Sequence, residues 1–299
     1  MPHLEAAFPL DDLEAEATED TLFALGAVAV TLTDAADTPI LEPKPGETPL
    51  WPTVRVEALF PIETDRTDLE AELTAEFGER VAGFAWRVVE DRVWEREWLK
   101  DFRPMRFGDR LWVVPGGMDL PAEAGPDAIT LALDPGLAFG TGTHPTTALC
   151  LRYLDSLGAE LAGTKVLDVG CGSGILAVAA LRLGAATAVG VDIDPQAEIA
   201  TRENAERNGV AAQVSLQPAA PPWPGAPYDF TLANILAGPL VELAGDIAAA
   251  TRTGGGVVLA GLLATQAAEV MAAYMPHFDM VEFGTVDGWT CLAGRRRGI

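Results

Sequence analysis

The run Lys165-Val-Leu-Asp-Val-Gly-Cys-Gly-Ser-Gly-Ile-Leu-Ala-Val-Ala-Ala-Leu-Arg-Leu183 decides the fold. Its first five residues, Lys-Val-Leu-Asp-Val, are strand-like, and 174–183 reads as a helix. Between them glycines stand at 170, 172 and 174. Missing side chains permit a tight turn and a close approach of backbone to a ligand. Amide groups at the start of the following helix are placed to receive an anion. A turn built for a nicotinamide dinucleotide would carry its third glycine one residue later, where Ile175 stands instead. Strand, glycine turn and helix therefore form a ligand site of a different kind.

Around this run the chain alternates strands and helices. Ala128–Leu133, Thr187–Val191, Val214, Tyr228–Ala233 and Val257–Ala260 read as strands, while Pro145–Leu157 and Gln196–Asn208 read as helices. Phe278–Ala293 looks like an antiparallel strand pair. Such alternation predicts a parallel, doubly wound α/β sheet of Rossmann-like type, with ligands at the carboxyl ends of its strands. The first 90 residues follow another grammar: helix 11–25, strand 27–33, a Pro/Gly-rich loop 39–52, strand 53–60, helix 65–77 and strand 84–90. That order suggests a small two-layer α+β sandwich of split-βαβ type. Between them, Trp94, Trp98, Phe102, Phe107 and Trp112 lie in a charged stretch, read as a short helix and hairpin. The expected division is 1–90, a linker 91–125, and 126–299.

Composition agrees with this size. At about 150 residues per domain, 299 residues make about two domains, and 49% apolar with 21% charged residues is ordinary for a globular chain. No stretch is long and apolar enough to span a membrane. Met-Pro-His-Leu-Glu has neither a basic start nor a cleavage site, so no secretory leader is expected. The three cysteines, Cys150, Cys171 and Cys291, form no CxxC pair, which argues against a disulfide framework or a zinc site and for the cytoplasm. Twenty basic against 44 acidic residues leave a net charge of −24. That field repels phosphate backbones and anionic membranes, and allows a basic protein partner. The first 125 residues hold 11 basic and 27 acidic side chains, a balance of −16.

Two further positions belong with the glycine turn. Twenty-two residues beyond Gly170, in Val189-Gly-Val-Asp-Ile-Asp194, lies Asp192, at the end of the next strand. A carboxylate there can accept both hydroxyls of a ribose. Asp194 suits a helix cap, because Pro195 fits a first helical position. Asn234 ends a later strand in Thr231-Leu-Ala-Asn-Ile-Leu236. A neutral acceptor at that place fits attack by an amine. A lysine amine of pKa ~10.4 is no nucleophile while protonated, and a carboxylate would hold its proton on. The run 134–147, Asp-Pro-Gly-Leu-Ala-Phe-Gly-Thr-Gly-Thr-His-Pro-Thr-Thr, has no Gly-Lys-Ser/Thr and so is no triphosphate loop. Pro145 opens its helix, Thr143 is placed near the cap, and Thr146 and Thr147 fall in the first turn with hydroxyls in reach of a ligand. His144 is read as structural rather than as a general base.

An Asp followed by GxGxG resembles the loop of the S-adenosylmethionine-dependent methyltransferases. Together with GTGTHPTT, GVDIDPQA, NAERNGV and ANILAGPL, it makes residues 91–299 similar to the bacterial ribosomal protein L-eleven methyltransferases. The resemblance is looser over 1–90. It implies a ferredoxin-like substrate-recognition domain ahead of a Rossmann-like methyltransferase domain, with S-adenosylmethionine as the methyl donor. It further implies transfer to lysine side chains and the N-terminal α-amine of large-subunit ribosomal protein eleven, a basic partner. Family contacts to the donor carry over to Thr147, Gly170, Asp192 and Asn234; Gly172 joins them from the turn, and Asn234 doubles as the catalytic residue.

The expected protein is thus a cytoplasmic, monomeric methyltransferase without metal, membrane or direct nucleic-acid contact. Rival readings are a methyltransferase of a small molecule or another protein, its first domain an oligomerising module, and a binding module without catalysis.

Overall fold

The computed structural model describes residues 2–11, 13–36, 49–78, 83–90, 103–116, 118–133 and 144–298. The chain divides into two compact units, Met1–Trp98 and Leu99–Ile299.

The first unit runs β1 (His3–Pro9), α1 (Ala15–Ala24), β2 (Ala29–Asp34), β3 (Val54–Pro61), α2 (Arg66–Phe77) and β4 (Ala85–Val89). Its sheet is antiparallel throughout, in the order β2-β3-β1-β4. In β3, Val54, Val56, Ala58 and Phe60 alternate inward, and α2 sets Leu69, Leu73 and Phe77 against them. The Asp65 carboxylate accepts the Thr67 and Asp68 amides at 2.8 and 3.2 Å and starts α2, satisfying two of the orphan donors of a helix start. The sequence reading omits β1, which lies inside the sheet. Ala6 and Ala7 carry little strand preference, and Glu5 interrupts the apolar run. Across the β1–β4 register Glu5 faces Arg87; its nearly buried carboxylate is 2.5 Å from the guanidinium, and that pairing makes a charge tolerable there.

The second unit begins with a small sheet of β5 (Met105–Phe107), β6 (Leu111–Val114) and β7 (Ile129–Ala132), with β5–β6 antiparallel and β6–β7 parallel. Sequence places β7 in the doubly wound sheet. In the structure it joins β6, and so ties residues expected in the linker to residues expected in the larger domain. Asp155, nearly buried, accepts the Asp109 and Arg110 amides at 2.5 and 3.2 Å and pins this hairpin's turn. Trp94, Trp98 and Phe102 fall outside the described residues.

Then follow α3 (Pro145–Ser156), β8 (Lys165–Val169), α4 (Ile175–Arg182), β9 (Thr187–Val191), α5 (Pro195–Arg207), β10 (Val214–Gln217) and β11 (Tyr228–Asn234). After them come α6 (Ala237–Glu242), α7 (Ala244–Ala250), β12 (Thr251–Leu263), α8 (Ala267–Tyr274), β13 (Phe278–Val286) and β14 (Trp289–Arg296). The seven-stranded sheet has the order β10-β9-β8-β11-β12-β14-β13, parallel except that β14 runs antiparallel to both neighbours. Its central strands are apolar on both faces, as parallel strands under helices must be. Val166, Leu232 and Val258 join one core with Leu149, Leu151 and Val178. Their neighbours Leu167, Ala233 and Leu259 join another with Leu240, Ile247 and Tyr274. Strand order reverses between β8 and β11, which opens a crevice above their carboxyl ends.

Candidate active site

A cavity of about 550 Å³ occupies that crevice, walled by Thr146, Gly170, Gly172, Asp192, Asn234 and Trp289 and by apolar residues that include Ile193, Leu236 and Pro239. A second cavity of about 380 Å³ shares Asp192 and Ile193 and extends to Leu216 and Gln217.

The glycine turn is left-handed at all three glycines, with φ of 71° at Gly170, 52° at Gly172 and 74° at Gly174. Side chains are excluded for steric reasons as well: a Cβ on Gly170 would collide with Ile235 Cγ2, and one on Gly174 would lie 2.6 Å from Thr201 Cγ2. The hydrogen bonds of the turn show where its own amides go. Gly170 and Cys171 both donate to the Val191 carbonyl, at 2.8 and 3.1 Å, and Gly174 donates to the Cys171 carbonyl at 2.7 Å. Gly172 donates to Asp192 Oδ2 at 2.8 Å. These four amides are engaged within the protein, because a turn this tight can hold its shape only by satisfying its own donors.

Helix α4 starts at Gly174 without a side-chain cap. Asp168 substitutes from the end of β8: its Oδ2 accepts the Ala177 amide at 3.0 Å. The carboxyl is 1% exposed and its Oδ1 has no partner among the described residues. Burial raises its pKa from 3.8 to about 7, against the Ala177 hydrogen bond, with Asp192 adding to the rise.

Asp192 follows β9 and is held from two sides, Oδ2 by Gly172 and Oδ1 by the Asp194 amide at 2.9 Å. A carboxylate has about four lone-pair directions, so two donors still leave room for a pair of hydroxyls. Asp194 caps α5 by accepting the Gln196 amide at 2.9 Å, with Pro195 at the first helical position.

Asn234 ends β11. Its Nδ2 donates to Thr147 Oγ1 at 3.3 Å, while its buried Oδ1 has no partner among the described residues. Thr147 is fully buried beneath it, and Thr146 is the threonine on the cavity wall. Helical spacing alone placed both in one turn and did not separate them. His144 caps α3, accepting the Thr146 amide through Nδ1 at 3.4 Å, with Thr146 Oγ1 2.7 Å away. Thr143, the expected cap, lies outside the described residues. The His144 ring meets Trp289 edge to face at 4.8 Å, and burial lowers its pKa. The His144 ring thus caps a helix and also lines the cavity. Sequence reasoning from chemistry missed Asp168 and Trp289: an acid inside a strand gives no outward signal, and Trp289 reaches the site only because β14 folds back beside β12.

Residues 3–297 match the family described as "Ribosomal protein L11 methyltransferase (PrmA)". A Pseudomonas aeruginosa (strain LESB58) protein named ribosomal protein L11 methyltransferase is 51% identical over 303 residues, covering 99% of each chain. One of the same name from Pseudomonas putida (strain GB-1) is 50% identical over 297 residues, covering 99% of this chain and all of the relative. The crystal structure of ribosomal protein L11 methylase from Lactobacillus delbrueckii subsp. bulgaricus superposes with a TM-score of 0.59 at 30% identity, over 66% of this chain and all of that one.

Proposed function

We propose, from the premise that this chain belongs to the ribosomal protein L11 methyltransferase family, that the crevice moves methyl groups from S-adenosylmethionine to amines of ribosomal protein L11. The observation that carries the chemistry is the buried, unpartnered Oδ1 of Asn234 in a cavity whose wall also holds Gly170 and Asp192.

The residues fit the donor. Gly170 leaves bare backbone where a side chain would collide, Asp192 retains lone pairs for two ribose hydroxyls, and Ile193 and Leu216 offer apolar surface to a flat base. When bound, the donor supplies a methyl group on a positively charged sulfur. The protein's own residues must then present a neutral nitrogen in line with it. A mainly apolar wall disfavours an ammonium ion. Asn234 Oδ1 accepts an N–H of the amine and turns its lone pair, without the negative charge that would retain the proton. Positioning of this kind, which holds the reacting atoms in line, accounts for much of the rate.

The first unit recognises the ribosomal protein. Helices α1 and α2 carry Glu16, Glu19, Asp20, Asp68, Glu70, Glu72 and Glu76 against a single basic residue, Arg66, and a surface of that sign attracts a basic target. In this reading the protein acts on lysine side chains and the N-terminal α-amine, as a cytoplasmic monomer that touches neither membrane nor nucleic acid directly. Mass spectrometry of purified L11 incubated with enzyme and donor should show added methyl groups on amines. Unmodified L11, with donor bound to the enzyme, would overturn the substrate.

A further inference from the structure

Helix α5 carries Thr201 and Asn204 on one face, and its C-cap residue Asn208 continues the stripe at i, i+3, i+7 spacing; all three are buried. A stripe of this kind is normally apolar; here every member ends on the backbone of another segment. Thr201 Oγ1 donates to the Gly172 carbonyl at 3.0 Å. Asn204 Nδ2 donates to the Ser173 carbonyl at 2.8 Å. Asn208 straddles Ala132, donating to its carbonyl and accepting its amide, both at 2.8 Å.

The Asn204 amide has one orientation open to it. Arg207 Nη1 donates to Asn204 Oδ1 at 2.7 Å, and a guanidinium has no acceptor to offer. The Oδ1 side is thereby assigned, and Nδ2 must meet Ser173. Gly172 is gripped at both ends, its amide by Asp192 and its carbonyl by Thr201. Glycine backbone has several accessible conformations of similar energy, so these anchors select among them.

We propose that Thr201, Asn204 and Arg207 are positioning residues that hold the glycine turn, and through Gly172 the Asp192 carboxylate, in the shape that binds the methyl donor. They act through the turn and touch no reactant. The inference rests on the S-adenosylmethionine reading above, and it divides the α5 stripe in two. Positions 201 and 204 serve donor binding, whereas Asn208 serves the fold by holding β7.

Calorimetric titration with S-adenosylmethionine, alongside kcat at saturating donor and thermal unfolding, tests this division. Asn204→Asp puts a carboxylate oxygen against the Ser173 carbonyl and should weaken donor binding about tenfold, with kcat at saturation within about twofold of the parent. Arg207→Ala, at an exposed position, should weaken binding about threefold, and Arg207→Lys, which restores a donor, should recover it. Asn208→Ala should lower Tm and leave the donor Kd in place. Parent-like donor affinity in Asn204→Asp overturns the proposal, as does a loss in Asn208→Ala equal to that in Asn204→Asp. Should Asn204→Asp fail to fold, unchanged affinity in Arg207→Ala overturns it equally. A parent protein that binds no donor would instead refute the underlying functional reading.

Discussion

The two compact units bury polar groups for different ends. In the first, Glu5 pairs with Arg87 and the Thr18 hydroxyl donates to the Glu14 carbonyl at 2.7 Å; both contacts close within the fold, and the unpaired charge lies outside on α1 and α2. In the second, Thr147, Asp168, Thr201 and Asn204 are all buried and all bear on one crevice, directly or through the glycine turn. Among the described residues, Asp168 Oδ1 and Asn234 Oδ1 remain there without a hydrogen-bond partner. A buried polar atom without a partner costs stability, and at Asn234, on the cavity wall, a reactant can supply the partner. Surface charge suits long-range selection of a protein, whereas buried dipoles suit orientation of a small reacting group.

The contrast breaks most readily at Asn234. Asn234→Ala should lower kcat about a hundredfold, roughly 3 kcal/mol, while urea unfolding reports a normally folded protein. An unaffected kcat would place the orienting group elsewhere and reduce the buried acceptor to packing.

Asp168 gives a smaller, pH-dependent effect. Its folded pKa of about 7 lies above its ordinary 3.8, so the folded state holds a proton that the unfolded state releases. Its contribution is therefore fully favourable below pH about 4 and is lost as pH rises through about 7. Asp168→Asn cannot ionise and should flatten stability between those limits by roughly 2 kcal/mol, less than full linkage because buried sites relax. Urea midpoints of both proteins across this window check it; parallel curves would show that the carboxyl stays charged.

The gentlest probe addresses the first unit. Raising salt should reduce kcat/KM for L11 severalfold by screening the acidic helices, and leave the donor Kd nearly constant. Equal sensitivity of both quantities would remove the distinction between surface steering and buried orientation.

Local signals carried much of this. Glycine spacing, a five-residue strand and Pro195 after a capping acid are short-range features, and each appears in the structure where its local physics puts it. β1 escaped because its strand character comes from its place between β3 and β4, not from Ala6, Ala7 or Glu5. That the turn's own amides are engaged within the protein was not legible, because sequence shows donors without showing their partners. Thr146 and Thr147 are equivalent as letters and both are buried, and only the tertiary packing sets Thr146 on the cavity wall and Thr147 against Asn234.

Sequence alone determined the kind of chemistry, since the residue types that can bend a backbone, accept hydroxyls or orient an amine are few and stand at strand ends set by hydrophobic period. Tertiary structure decided which of those groups are already engaged and which are left open. That outcome depends on distances between segments remote along the chain: α5 reaching back to Gly172 and Ser173, and β14 returning to set Trp289 beside His144. No periodicity encodes such distances, because they arise only when the sheet closes.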